Sequence, residues 1–339
     1  MIALRDQSPA ELKDLFVSMG EKPFRAGQLF RWIARGTTDF SEISDLSADL
    51  REKLSQVAVL ANMERIRVQV SAKDGTRKYL FSLLDGKTVE TVLMKYEYGS
   101  SICISSQVGC GMGCRFCASA IGGLERNLTA GEMLGQLLEV QRESGEKINH
   151  VVVMGTGEPL SNYSNLAKFI QLVHDKDGLN IGLRNITVST CGLIPQMERF
   201  GREFPQVNLA VSLHAPTDAL RSSMMPINDK YPVDKLLEAC KKYADQTGRR
   251  ITFEYALVEG VNDTPEMIDL LAKKLRGIMC HVNLIPLNPV SETGLQGTKR
   301  KNARDLQARL ESKGISATVR RELGADIDGA CGQLRQNLK

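Results

Sequence analysis

The sequence predicts an α/β protein: a partial (β/α)6-type barrel with an N-terminal helical module and a small β extension in front of it. Three observations carry the prediction. The first 60 residues hold helix-period patterns. Residues 64–107 alternate polar and apolar side chains, broken by Asp-Gly turn signals. From residue 101 onward, β-type runs alternate with helical segments in about six or seven units, which implies a parallel sheet short of an eightfold barrel.

The elements follow in order. Ser8 can cap a first helix, with Pro9 at its first position and Glu11 completing a capping box. Leu12, Leu15, Phe16 and Met19 recur at helical spacing until Gly20 ends the run. A second helix is expected over Arg25–Ala34, with Phe30 and Trp32 available for packing, and a third over Asp49–Val57. These make residues 1–60 a helical accessory module. Residues 61–100 form a β-hairpin region: Arg65–Val70 alternates, Asp74-Gly75 and Asp85-Gly86 mark turns, and Thr88–Met94 continues the pattern. Residues 101–321 form the barrel. Ile102–Ser106 opens it, and further strands are expected at Val151–Met154, Asn185–Thr190, Val207–Leu213, Ile251–Val258, His281–Ile285 and Ile315–Arg320. Helices fill the gaps, as at Thr129–Arg142, where Thr129 and Glu132 make a capping box, and after Asp263-Thr-Pro-Glu266. Residues 322–339 follow as a C-terminal segment.

Composition narrows the class. Hydrophobic residues make up 42% and charged residues 25%, an ordinary globular balance. No charge-free apolar run is long enough for a membrane span, and the N-terminus lacks a signal-peptide core, so a cytoplasmic location away from membranes is expected. Eight cysteines in 339 residues are too sparse for a disulfide scaffold, and in a reducing compartment they point to metal binding or catalysis. The net charge of +4 is uneven: residues 299–339 carry 10 Lys+Arg against 5 Asp+Glu. A basic end favours a polyanion such as RNA, and Lys22, Arg25, Arg31 and Arg35 flank the N-terminal helices. A solvated basic helix and a plain accessory bundle are the bland alternatives.

Cys110, Cys114 and Cys117 form C-x₃-C-x₂-C, with no fourth cysteine or histidine nearby. A structural zinc site closes with four ligands, and an ordinary four-iron cluster takes four cysteines. Three thiolates would leave one iron open to bind and reduce a substrate. Gly109, Gly111 and Gly113 let the backbone wrap a bulky group, and Phe116 can shield it. One strand later comes Gly155-Thr-Gly157-Glu158, where small residues allow close approach and a carboxylate can pair with an ammonium. Ser189-Thr190, Ser212-Leu213-His214 and Asn288 stand at later strand ends, where polar side chains converge on a ligand in such folds. Singly, each reads as a cap or turn residue, and His214 equally as a satisfied core histidine. Cys331, between small residues after the last strand, and Cys103, near the cysteine loop, are unexplained thiols that could form a transient redox pair.

The cysteine loop resembles the signature of the radical S-adenosylmethionine (SAM) superfamily. Further runs resemble, within it, the RlmN family of dual-specificity RNA methyltransferases: Val89-Glu-Thr-Val92, Cys103-Ile-Ser-Ser-Gln-Val-Gly-Cys110, Ser212-Leu-His-Ala-Pro216, Met225-Pro-Ile-Asn228, Asn283-Leu-Ile-Pro286 and Asp326-Ile-Asp-Gly-Ala-Cys-Gly-Gln333. Glu21-Lys-Pro-Phe-Arg25 extends the likeness into the N-terminal helices. The resemblance implies a radical SAM barrel. It also implies a [4Fe-4S] cluster on Cys110, Cys114 and Cys117, and SAM held by Gly157, Glu158, Ser189, Ser212, Leu213, His214 and Asn288. The implied reaction is methylation of adenine C2 in 23S rRNA and of the adenine next to the anticodon in tRNA, with two SAM per turnover. A methyl group would ride on Cys331 and reach the base as a methylene radical. Cys103 would resolve the protein–RNA adduct, leaving a Cys103–Cys331 disulfide, and Glu90 would accept the proton. Read by itself, Glu90 is a solvent-facing strand residue. A monomer served by an external electron donor, such as flavodoxin and its reductase, is implied as well.

Two alternatives stay open. A Cfr-type enzyme, methylating adenine C8, shares the cluster loop, both thiols and Glu90; Ile121-Gly-Gly-Leu-Glu-Arg-Asn127 is more similar to RlmN sequences. A non-catalytic iron–sulfur protein that binds RNA or senses redox state would need no Cys331. Cys191, beside Ser189, reads as a buried structural cysteine.

Overall fold

Capping chemistry sets the N-terminal module. The computed structural model describes residues 1–334, so residues 335–339 of the expected C-terminal segment lie outside the described residues. After strand β1 (Ile2–Ala3), helix α1 (Pro9–Ser18) starts on the expected capping box: Glu11 N–H donates to Ser8 Oγ at 3.3 Å and Ser8 N–H to Glu11 Oε2 at 2.7 Å. Helix α2 (Arg25–Ala34) buries Ala26, Leu29, Phe30 and Ile33. Helix α3 (Ala48–Val57) leads into β2 (Ala58–Val59), which pairs in parallel with β1.

Next come β3 (Met63–Val70), β4 (Arg77–Leu83), β5 (Thr88–Tyr96) and β6 (Gly99–Cys103), an antiparallel meander turning at both Asp-Gly pairs and at Glu97-Tyr98. The short pair β7 (Gln107–Gly109) and β8 (Leu124–Asn127) brackets the cysteine loop. The alternating part follows: α4 (Ala130–Ser144), β9 (Ile148–Val153), α5 (Tyr163–His174), β10 (Ile186–Thr190), α6 (Ile194–Glu203), β11 (Asn208–Ser212), α7 (Asp218–Met224), α8 (Val233–Thr247), β12 (Ile251–Leu257), α9 (Pro265–Leu275), β13 (Cys280–Pro286), α10 (Arg300–Ser312) and β14 (Ala317–Val319).

One ten-stranded sheet unites both parts, in the order β14-β13-β12-β11-β10-β9-β6-β5-β4-β3. It is parallel from β14 to β6 and antiparallel from β6 to β3, and β3 and β14 remain separate edges, so the barrel is partial. The hairpin region thus continues the barrel wall, with Val92 of β5 opposite Cys103 of β6. Arg5, fully buried, donates to Glu139 of α4 at 2.7 Å and ties the N-terminal module to the barrel.

The run Ile102–Ser106 is not one strand: β6 stops at Cys103. Beyond it the buried Gln136 side chain takes over the pairing of Ser105, accepting from its N–H at 2.8 Å and donating to its C=O at 2.9 Å. The chain is thereby turned off the end of β6 toward the cysteine loop, with no buried backbone group left unpaired at Ser105.

Candidate active site

The site is assembled at the C-terminal ends of the parallel strands. After β9, Gly157 has φ +111°, and a Cβ there would lie 2.6 Å from the Gln107 side chain, so only glycine fits. The close passage lets Glu158 N–H donate to Gln107 Oε1 at 2.8 Å. The Glu158 carboxylate is buried and accepts from Leu160 N–H (3.0 Å) and Cys191 N–H (2.8 Å). Burial pushes its pKa up, against those hydrogen bonds. A carboxylate so placed has a use for a cationic partner.

Arg221 of α7, fully buried, organises the next two strand ends. It donates to the carbonyls of Cys191 (2.7 Å), Ser212 (3.0 Å) and Leu213 (3.1 Å) and to Asn228 Oδ1 (3.1 Å). His214 sits in the left-handed region at φ +58°. Its Nδ1 accepts from Ala256 N–H at 2.9 Å, which leaves the proton on Nε2, and Phe116 meets its ring edge-on at 4.9 Å. Burial drives the His214 pKa down to about 3, so the ring is neutral.

The cysteine loop is folded back by the β7–β8 pair. Gly109 has φ +74°, and a Cβ there would strike Gly123 O at 2.0 Å; Cys110 N–H donates to that oxygen at 2.9 Å. Cys110, Cys114 and Cys117 line one cavity of about 140 Å³ with Gly157, Glu158, Ser189, Ser212 and His214. Burial raises the pKa of all three thiols, that of Cys110 to about 11, and at Cys114 the neighbouring Cys117 and Cys110 add to it. Among the described residues no three His, Cys, Asp or Glu side chains converge on a single metal ion. Thiols spread around one wall, within electrostatic reach of each other, suit instead a multi-iron group in which each thiolate holds its own iron. Such a cationic group would reverse the penalty on thiolate formation. The donor set therefore fits a cluster.

The C-terminal segment is stitched across this opening. Asn288 Nδ2 donates to Cys331 O at 3.0 Å, Ala118 N–H to Gly332 O at 2.8 Å, Ser119 Oγ to Leu334 O at 2.8 Å and Gln333 Nε2 to Pro289 O at 3.1 Å. From the other side, the β3–β4 turn clamps it: Ser71 Oγ and Ala72 N–H donate to the Asp326 carboxylate (2.7 and 3.0 Å), and Gly324 N–H donates to Asp74 Oδ2 at 3.0 Å. Cys331 consequently lines two cavities. It shares a 140 Å³ cavity with Cys117, Ser189, Ser212, His214 and Asn288, and a larger 290 Å³ cavity with Cys103. Both thiols are free. The pKa of Cys103 is pushed up to about 12, by burial first and then by Cys331.

Most of the expected site residues thus share adjoining cavities. Leu213 does not reach them: its side chain is fully buried in the apolar core. Glu90 is also outside the cavity linings, and it corrects its sequence reading, being 5% exposed rather than solvent-facing. It pairs with Lys78 at 3.2 Å, and Lys78 Nζ donates to Asp328 O at 3.3 Å, linking Glu90 to the segment of Cys331. Cys191 is buried, as expected.

The sequence reading missed Arg221, Lys78, Glu254 and the inward role of Arg320. Arg320 lines both Cys331 cavities, 3.8 Å from the buried Glu254, which accepts from Asn283 at 2.8 Å. In the sequence Arg320 counts, with Arg321, as part of the basic C-terminal end, which favours a polyanion or reads as a solvated surface.

A partial α/β barrel with three loop thiols and polar strand ends defines the class: residues 104–271 match the radical SAM superfamily, and no helix among the described residues is long and apolar enough to cross a membrane. Residues 2–60 match the ribosomal RNA large subunit methyltransferase N-terminal domain. A probable dual-specificity RNA methyltransferase RlmN from Desulforamulus reducens is 51% identical over 99% of this chain and 96% of its own length. One from Lachnospira eligens is 51% identical over 96% and 93%. The crystal structure of a radical SAM methyltransferase from Sphaerobacter thermophilus superposes with a TM-score of 0.96 at 44% identity, covering 99% of this chain and all of that one. The chain belongs to the RlmN family of radical SAM RNA methyltransferases.

Proposed function

We propose that this protein methylates C2 of an adenine in 23S rRNA and of the adenine next to the anticodon in tRNA, through an S-methylcysteine at Cys331. The observation that carries the reading is that Cys331 and Cys103, from opposite ends of the barrel sequence, line one 290 Å³ cavity, while Cys331 and Cys117 line the next. Adenine C2 is electron-poor and does not attack a sulfonium methyl group, so a carrier thiol beside a radical source is the arrangement such a reaction needs.

Cys110, Cys114 and Cys117 would hold a [4Fe-4S] cluster, and Glu158, Ser189, Ser212, His214 and Asn288 would hold SAM, with Gly157 and Leu213 contributing backbone. Bound together, cluster and SAM would supply a reductively generated radical able to abstract hydrogen. Cys331 accepts the methyl group on sulfur and presents its carbon to C2. Glu90 takes the C2 proton. Cys103 attacks the Cys331 sulfur, so an S–S bond forms as the carbon–sulfur bond breaks; the released carbon takes up a proton to become the methyl group, and the odd electron left by radical addition would pass back to the redox group held by the three loop cysteines. An external reductant, such as flavodoxin with its reductase, then restores both thiols. The adenine must leave its stack to reach this cavity, as in other enzymes acting on bases. The N-terminal helices and the basic residues near the C-terminus are the proposed RNA holders. The protein is proposed to work as a cytoplasmic monomer.

Nucleoside mass spectrometry of rRNA and tRNA from cells lacking the protein tests the reading. Loss of 2-methyladenosine from both RNAs is expected. Loss of 8-methyladenosine alone would overturn it in favour of C8 chemistry.

A further inference from the structure

The tip of the β5–β6 hairpin carries an aromatic pair that the reaction does not use. Tyr96 and Tyr98 stack with centroids 4.9 Å apart and planes 7° from parallel. His150 meets Tyr98 edge-on at 5.0 Å. With these neighbours in place, Tyr98 is still 64% exposed. The tip is braced. Gly99 takes φ +124° against Asn149, Ser100 N–H donates to Asn149 Oδ1 at 3.3 Å, and Glu146 receives both Ser100 Oγ (3.2 Å) and Lys95. An exposed ring held this way loses little freedom when something stacks on it.

What lies beneath identifies the occupant. Tyr96 lines the 290 Å³ cavity that contains Cys103 and Cys331, and the charged residues on that wall are Arg300, Arg320 and Arg321 against Glu322. A flat open ring beside a cationic wall matches a nucleobase and its phosphates, since every base offers a π-face.

We propose that Tyr98 stacks the nucleobase adjacent to the target adenine, extending the Tyr96–Tyr98 column outward from the cavity. The proposal rests on the RNA methyltransferase reading above. Binding is measured by fluorescence anisotropy with a labelled RNA stem-loop that contains the target adenine, and with the same RNA made abasic at the neighbouring position. Tyr98→Ala is expected to weaken binding of the intact RNA about tenfold, and Tyr98→Phe to restore it. On the abasic RNA, wild type and Tyr98→Ala should bind alike. In Tyr98→Trp, the new indole should be quenched on binding the intact RNA only. Wild type that binds RNA with Tyr98→Ala unchanged, or with an equal loss on the abasic RNA, would overturn the stacking role alone. Wild type that binds neither RNA would overturn the underlying reading as well.

Discussion

Cys103 and Cys331 face the same cavity but are held in opposite ways. Cys103 ends a strand paired on both sides, opposite Val92 of β5 and Val152 of β9, and is 6% exposed. Cys331 itself lies outside any helix or strand, on a segment held by hydrogen bonds to the loop after β13, to Ala118 and Ser119, to the β3–β4 turn and to Lys78 of β4. A thiol fixed by a ladder keeps one position. A thiol on a stitched loop can move between a methyl donor and a base if single stitches release. A ladder-held thiol for the proposed resolving step and a loop-held thiol for the proposed carrier step are the difference between the two regions that the proposed chemistry requires.

Removing the carrier is the most severe way to break the comparison. Cys331→Ala is expected to reduce RNA methylation to background, measured by transfer of labelled methyl from SAM. Cys103→Ala is expected to accumulate a covalent protein–RNA species, visible as a retarded band on a denaturing gel, because the adduct forms but is not resolved.

Next comes the framework behind Cys103. Gln136→Leu leaves the Ser105 N–H and C=O buried without partners and should cost about 2–4 kcal/mol, read as a lower midpoint in urea unfolding. Loosening the other side is milder: Asp326→Ala removes two charge-assisted bonds to the β3–β4 turn, 2.7 and 3.0 Å long. Because Asp326 is exposed, stability should change little, while methylation falls several-fold, and that separation marks a positioning role.

The last effect is absent at neutral pH and grows only on acidification. The neutral, buried His214 binds no proton in the folded state until its pKa of about 3, whereas the unfolded chain protonates near the ordinary 6.5. Between these values the unfolded state holds the extra proton, so stability falls as pH drops, by at most about 1.4 kcal/mol per unit from this group. His214→Asn should flatten the pH dependence of the unfolding midpoint below pH 6.5; an unchanged slope would remove His214 as its cause.

Much of this was legible in the sequence because its signals are local. The capping boxes at Ser8 and Thr129 and the Asp-Gly turns each declare themselves within four residues. The cysteine spacing was equally local. What sequence concealed depends on distant partners. Glu90 lies buried because Lys78 pairs with it from β4 and in turn donates to the carbonyl of Asp328 in the C-terminal segment. Arg221 reads as a surface helix residue until the carbonyls of two strand ends are seen around it. Period-two alternation showed that residues 61–100 were strands, but not that they would continue the barrel wall and clamp the segment carrying Cys331.

The central claim is that Cys331, not the RNA, first receives the methyl group. The direct measurement is peptide mass spectrometry of the protein after a single turnover with methyl-deuterated SAM, in the presence and absence of RNA. A deuterated methyl group on Cys331 that disappears as labelled 2-methyladenosine forms is the predicted result. Labelled RNA produced by a protein whose Cys331 never carries the label would contradict it.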